Sequence, residues 1–121
     1  FNIVLVDGSD LADTLVAADY GDLLNETTSL GAVNTSGFAV EGWNTITLNT
    51  AGLVLLQAAI TAGVKIRFGL RSSRDISVTT PKLNGADYYY EEVAIYGSNT
   101  ANKKPKLTIA YPSGRSYGYI L

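Results

Sequence analysis

Five aspartates fall in the first 22 residues, and three of them, Asp7, Asp10 and Asp13, recur every third position. A hard cation such as Ca²⁺ takes several oxygens from one turn, so these three are candidate Ca²⁺ ligands, with Asp19 and Asp22 nearby. The other reading is turn and cap chemistry, in which each carboxylate accepts backbone N–H bonds. The spacing does not match an EF-hand loop. Apart from Ca²⁺, no cofactor is expected.

Arg71, Arg74 and Asp75 form a charged turn. An Arg–Asp pair there could grip a sugar hydroxyl or carboxylate, or lock a long loop onto the domain. Tyr88, Tyr89 and Tyr90 are consecutive, so in a strand Tyr88 and Tyr90 share one face and Tyr89 takes the other. Exposed tyrosine rings stack on the C–H faces of sugars, which makes Tyr88, Tyr89, Tyr90, Arg71 and Arg74 a candidate glycan site. The same rings could fill a core or meet a partner chain. Trp43 reads as core rather than as a sugar platform. Glu91 and Glu92 point opposite ways in a strand and cannot flank one glycosidic bond.

The chain has no histidine and no cysteine. The commonest general base and the thiolate nucleophile are therefore missing, and no Ser–Lys or Ser–carboxylate arrangement is recognisable. The expectation is a protein that is not an enzyme. Methionine is absent too, so Phe1 is not a translation start and the chain reads as a processed product or fragment.

At 121 residues, 46% hydrophobic and 17% charged, the chain has the composition of one globular domain. The net charge of −2 offers no basic face to a phosphate backbone, so nucleic acid is not an expected partner. The longest apolar block, 53–60, is interrupted by Gln57 and is far short of a membrane span. Low charge, abundant Thr, Ser, Asn, Gly and Tyr, and no oxidisable sulfur suit a life outside the cytosol. Two sequons, at Asn25 and Asn34, carry little weight.

The elements that must position these residues are mostly strand-sized. A strand is predicted over Asn2–Val6, followed by a turn over Asp7–Asp10. Asp13 or Thr14 is placed to cap a helix over Leu15–Leu24. Strands are predicted at Leu30–Val33, Phe38–Val40 and Trp43–Leu48. Asn49 or Thr50 caps a second helix carrying Leu53, Leu56 and Ile60, and Gly63 is placed for a left-handed C-cap. Val64–Leu70 is the clearest strand, with Phe68 and Leu70 on one face and Arg67 and Gly69 on the other. Further strands are predicted at Tyr88–Tyr96 and Lys106–Tyr111. Seven or eight strands with one or two short helices predict an all-β, jelly-roll-like antiparallel β-sandwich.

Three segments carry a family likeness: Gly42-Trp43-Asn44-Thr45-Ile46-Thr47-Leu48-Asn49, Lys65-Ile66-Arg67-Phe68-Gly69-Leu70-Arg71-Ser72, and Lys104-Pro105-Lys106-Leu107-Thr108-Ile109-Ala110-Tyr111. In order and spacing they resemble the closing half of DNRLRE-type domains, also called disaggregatase-related repeats. The resemblance covers about residues 1–111 and leaves 112–121 as a tail or edge strand. It implies a jelly-roll sandwich of secreted, cell-surface or virion proteins, some members of which bind carbohydrate. The family's opening strands are missing, so residue 1 falls inside the domain and open sheet edges are expected. Self-association, or strand pairing with another chain or segment, would close them. The function expected is a non-catalytic structural or assembly domain of an extracellular appendage, surface protein or virion. The alternatives are a carbohydrate-binding module and, remotely, a fragment of a glycan-active enzyme.

Overall fold

The computed structural model describes residues 1–39, 41–79, 93–95 and 102–110. Its centre is the apolar run Ile3-Val4-Leu5-Val6, which forms strand β1 (Asn2–Asp7). β-branched residues on a pleated backbone favour this conformation. Strand β2 (Gly31–Asn34) pairs with it antiparallel, Leu5 opposite Gly31 and Asn2 opposite Asn34. Strand β3 (Phe68–Ser72) pairs antiparallel on the other side, Ile3 opposite Ser72 and Asp7 opposite Phe68. The order across the sheet is β2-β1-β3.

Alternation gives the sheet two faces. Val4 and Val6 share one face with Gly69 and Arg71, and both valines are buried. Helix α1 (Asp19–Asn25) lies over this face, with Leu23 resting against Gly69, where a Cβ would collide with it. Ile3 and Leu5 share the other face with Val33, Phe68 and Leu70. These are only half-buried, and Leu70 is exposed.

Helix α2 (Thr50–Ala62) forms where predicted. The Asn49 side chain accepts from the Gly52 amide at 3.0 Å and donates to the Ser29 carbonyl at 2.7 Å, so one residue caps the helix and ties it to the approach to β2. Gly63 closes the helix in the left-handed region at φ +65°. Leu56 is turned inward, completing with Val4, Val6 and Leu30 the buried apolar core of the described residues. A short helix α3 (Ser73–Ile76) follows β3, its first turn capped by the Ser72 hydroxyl, which accepts from the Arg74 amide at 3.2 Å.

The sandwich expectation is overturned. A jelly roll needs a second sheet packed about 10 Å over the first, whereas the described residues form one three-stranded sheet with three α-helices. The cause is visible at 43–48. The alternation there is real, but its members Asn44, Thr45 and Thr47 bring little apolar area to bury, and the segment contributes only a bridge from Leu48 to Gly31. Trp43 is 64% exposed and is not core. Phe38 and Ala39 form no strand either, following a 3-10 turn at Thr35–Gly37. The strand expected over 64–70 begins at Phe68 and runs on to Ser72. Tyr88, Tyr89 and Tyr90, and most of the strand expected around them, lie outside the described residues, as does Tyr111.

Candidate functional site

Most of the predicted site residues on the described part of the chain lie around the two ends of β3. At the Ser72 end, Arg71 points from β3 toward α1, and its side chain is only 5% exposed. Its Nη1 donates to the carbonyls of Leu24 and Glu26, both at 2.7 Å. Its Nε and Nη2 both donate to Asp75 Oδ2, at 2.9 and 2.6 Å. Four of the guanidinium's five N–H groups are thus used inside the molecule. The two carbonyls end a helix, where peptide dipoles concentrate negative charge, so a cation fits there. Arg71 is thus buried, and these bonds are of the kind the locking alternative describes. Arg74 sits on α3, half-buried.

At the Phe68 end, Asp13 parts from the other two spaced aspartates, Asp7 and Asp10. Asp7 Oδ1 accepts from the Ser9 amide at 2.8 Å and the Ser9 hydroxyl at 2.6 Å, closing the turn. Asp13 pairs with Lys65 at 3.3 Å and with Arg67. The Arg67 hydrogen bond, then that of Lys65, holds the Asp13 carboxyl below its ordinary value. Asp10 is exposed and lines a small cleft of about 10 Å³ with Asp7, Asp22 and Glu26. That space admits about one water. Among the described residues no three carboxylates are grouped as metal ligands would be.

Sequence reasoning missed the role of Asp19. It is buried, and its carboxylate reaches back to accept from the Val16 amide at 2.7 Å and the Ala12 amide at 3.0 Å. Those two bonds, Val16 first, lower its pKa. They also explain why helix α1 starts at Asp19 rather than near Leu15: the predicted capping residues Asp13 and Thr14 are not at the helix start, and 12–16 is gathered around Asp19 instead. The signal was present as an Asp three residues after an apolar Val, but it was indistinguishable from the other aspartates.

The third feature is a surface. Among the described residues, Leu15, Tyr20, Trp43, Val54, Val64 and Val78 are each more than half exposed, against four apolar residues that are buried. No helix of the described residues is long and apolar enough to cross a membrane. Comparison with family models, with curated proteins and with solved structures finds no match.

Proposed function

We propose that this chain is a non-catalytic structural or assembly domain of an extracellular appendage, surface protein or virion. The observation that carries the reading is the excess of exposed large apolar side chains over buried ones among the described residues. Where such side chains adjoin on a surface, they mark sites of protein association. Helix α2 adds to it: its 13 residues include no charged side chain, yet Leu53 and Val54 are 56% and 65% exposed. A helix apolar on nearly every side is one that expects cover. The likeness to surface and virion domains, and the low-charge, sulfur-free composition, support the extracellular setting.

Size-exclusion chromatography with light scattering tests the reading. A species larger than the 12.9 kDa protomer is expected at micromolar concentration. A monodisperse monomer at about 100 μM, a concentration at which even weak specific interfaces associate, would overturn it. Binding to immobilised polysaccharide, abolished by Tyr88→Ala, Tyr89→Ala or Tyr90→Ala, would instead favour the carbohydrate-binding reading.

A further inference from the structure

Two incomplete features of the fold fit each other. The first is the outer edge of β3. The Leu30 amide donates to the Leu5 carbonyl at 2.8 Å, so the Leu5 backbone faces β2. Alternation then turns the backbones of Val4 and Val6 toward β3, where they meet Arg71 and Gly69. The Gly8 amide continues the series by donating to the Arg67 carbonyl at 3.0 Å. The N–H and C=O groups of Phe68 and Leu70 therefore point away from the sheet, and no described residue pairs with them. Edges are normally blunted by a charge, a proline or a bulge. The outward positions Phe68, Leu70 and Ser72 carry none of these.

The second is the segment 106–110. It alternates Leu107 and Ile109 with Lys106, Thr108 and Ala110, a strand pattern. Among the described residues it has neither helix nor sheet partner, and Leu107 and Ile109 are 53% and 40% exposed. Among the described residues, a segment with a strand's pattern but no ladder and a sheet edge with no neighbouring strand occur in one chain.

We infer that Lys106–Ala110 of a second copy of this chain adds antiparallel to the outer edge of β3. This rests on the assembly reading and names its interface. Both existing pairings are antiparallel. With Ile109 opposite Leu70, Leu107 falls opposite Ser72, and both apolar side chains extend the half-buried face of Ile3, Leu5, Phe68 and Leu70. The preceding Lys104 and Lys106, both exposed, then run toward Asp75. That carboxylate is 49% exposed and receives both Arg71 bonds on Oδ2, leaving Oδ1 to meet a cation. Complementary charge of this kind fixes register. Because donor and acceptor surfaces differ, the contact is head-to-tail and builds rings or filaments rather than closed two-fold dimers.

The chain contains no cysteine, so introduced thiols report cleanly. Chains carrying Leu70→Cys alone and Ile109→Cys alone are mixed and oxidised. A hydrogen-bonded antiparallel pair holds its Cα atoms about 5.5 Å apart, within disulfide range. The expected product is a mixed disulfide dimer well in excess of either homodimer, and a ladder of oligomers from the doubly substituted chain. A monomeric internal cross-link in that double variant, or mixed dimers no more abundant than homodimers, overturns the inference. A second arm separates this failure from that of the assembly reading. Leu70→Lys places a charge on the edge and is expected to weaken association about tenfold or more, with circular dichroism unchanged. Oligomers that persist unaltered in Leu70→Lys overturn the interface while leaving assembly standing; a wild-type monomer overturns both.

Discussion

Arg71 on β3 and Asp75 on α3 are four residues apart, and two hydrogen bonds from the guanidinium converge on one carboxylate oxygen, at 2.9 and 2.6 Å. The same guanidinium holds the Leu24 and Glu26 carbonyls, 47 and 45 residues earlier. One side chain therefore joins α1, β3 and α3. Replacing it by methionine keeps much of the volume but leaves the two carbonyls without a donor and Asp75 without a partner. Arg71→Met is expected to lower unfolding free energy by about 3 kcal/mol. Arg71→Lys recovers only part of this, because an ammonium cannot serve a carboxylate and two carbonyls with the planar fork's geometry. Asp75→Asn, at a half-exposed position, is expected to cost about 1 kcal/mol. Urea unfolding measures all three; Arg71→Met within about 0.5 kcal/mol of wild type, the scatter typical of neutral surface changes, would show that the clamp is dispensable.

Asp19 gives the fold an acid sensitivity. Its pKa in the folded chain lies below its unfolded value, because the Val16 and Ala12 amides bond the charged form. A group lowered on folding stabilises the fold fully above its unfolded pKa, about 3.9, and loses that contribution as pH falls through the folded value. Stability is thus expected to be flat from neutral pH to about pH 5 and to decline below about pH 4. Asp19→Asn keeps one acceptor oxygen and cannot ionise. It is expected to lower stability at pH 7 and to flatten the acid limb. Asp13 is lowered in the same direction by Arg67 and Lys65, but it is exposed, so its share should shrink in salt. Urea midpoints at pH 7 and pH 3 for the two chains decide this: an acid limb equally steep in Asp19→Asn would assign the pH dependence elsewhere.

The parts of the fold legible in the sequence were those written in local chemistry. The block Ile3–Val6 has one good conformation and takes it. Asn49 and Gly63 specify both ends of α2, but of the residues spaced as its stripe only Leu56 is buried, while Ile60 is half-buried and Leu53 exposed. Tertiary choices were less legible. Trp43–Leu48 has a strand's alternation, yet alternation only offers a face for burial, and nothing in it says whether another surface arrives to cover that face. Arg71 was recognised as notable, but whether an arginine after a strand turns outward to a ligand or inward to carbonyls depends on α1, whose end lies 45 residues away. Asp19 differed from its four neighbours only by where the chain folds back.

Helix α2 offers an internal control on packing. Leu56 is 7% exposed and Leu53 is 56% exposed on the same 13-residue helix. Truncating the buried one removes contacts and leaves a cavity, so Leu56→Ala is expected to cost about 2–4 kcal/mol. Leu53→Ala keeps helix propensity and uncovers little, so the protomer's stability should change by less than about 0.5 kcal/mol. Thermal unfolding at low protein concentration keeps association from masking the difference. Equal losses in the two variants would mean that α2 buries a different face.

Gly52 in the first turn of α2 and Gly63 at its C-cap should respond to alanine for different reasons. Helix propensity alone predicts that Gly52→Ala stabilises by about 1 kcal/mol. The structure predicts the reverse, because a Cβ at position 52 would meet the backbone carbonyl oxygen of Leu30 and the Leu48 side chain. Leu30 is fixed, since its amide bonds Leu5 and its carbonyl accepts from Asn49, so the helix start must move instead. Gly63 has open space around its Cβ position but sits at φ +65°. Gly63→Ala therefore costs only the left-handed backbone penalty, about 1 kcal/mol. Gly52→Ala is expected to destabilise more than Gly63→Ala, and to shift the amide resonances of Leu30 and Gly31, which Gly63→Ala leaves in place. A Gly52→Ala chain more stable than wild type would mean that α2 is not seated against the entrance to β2.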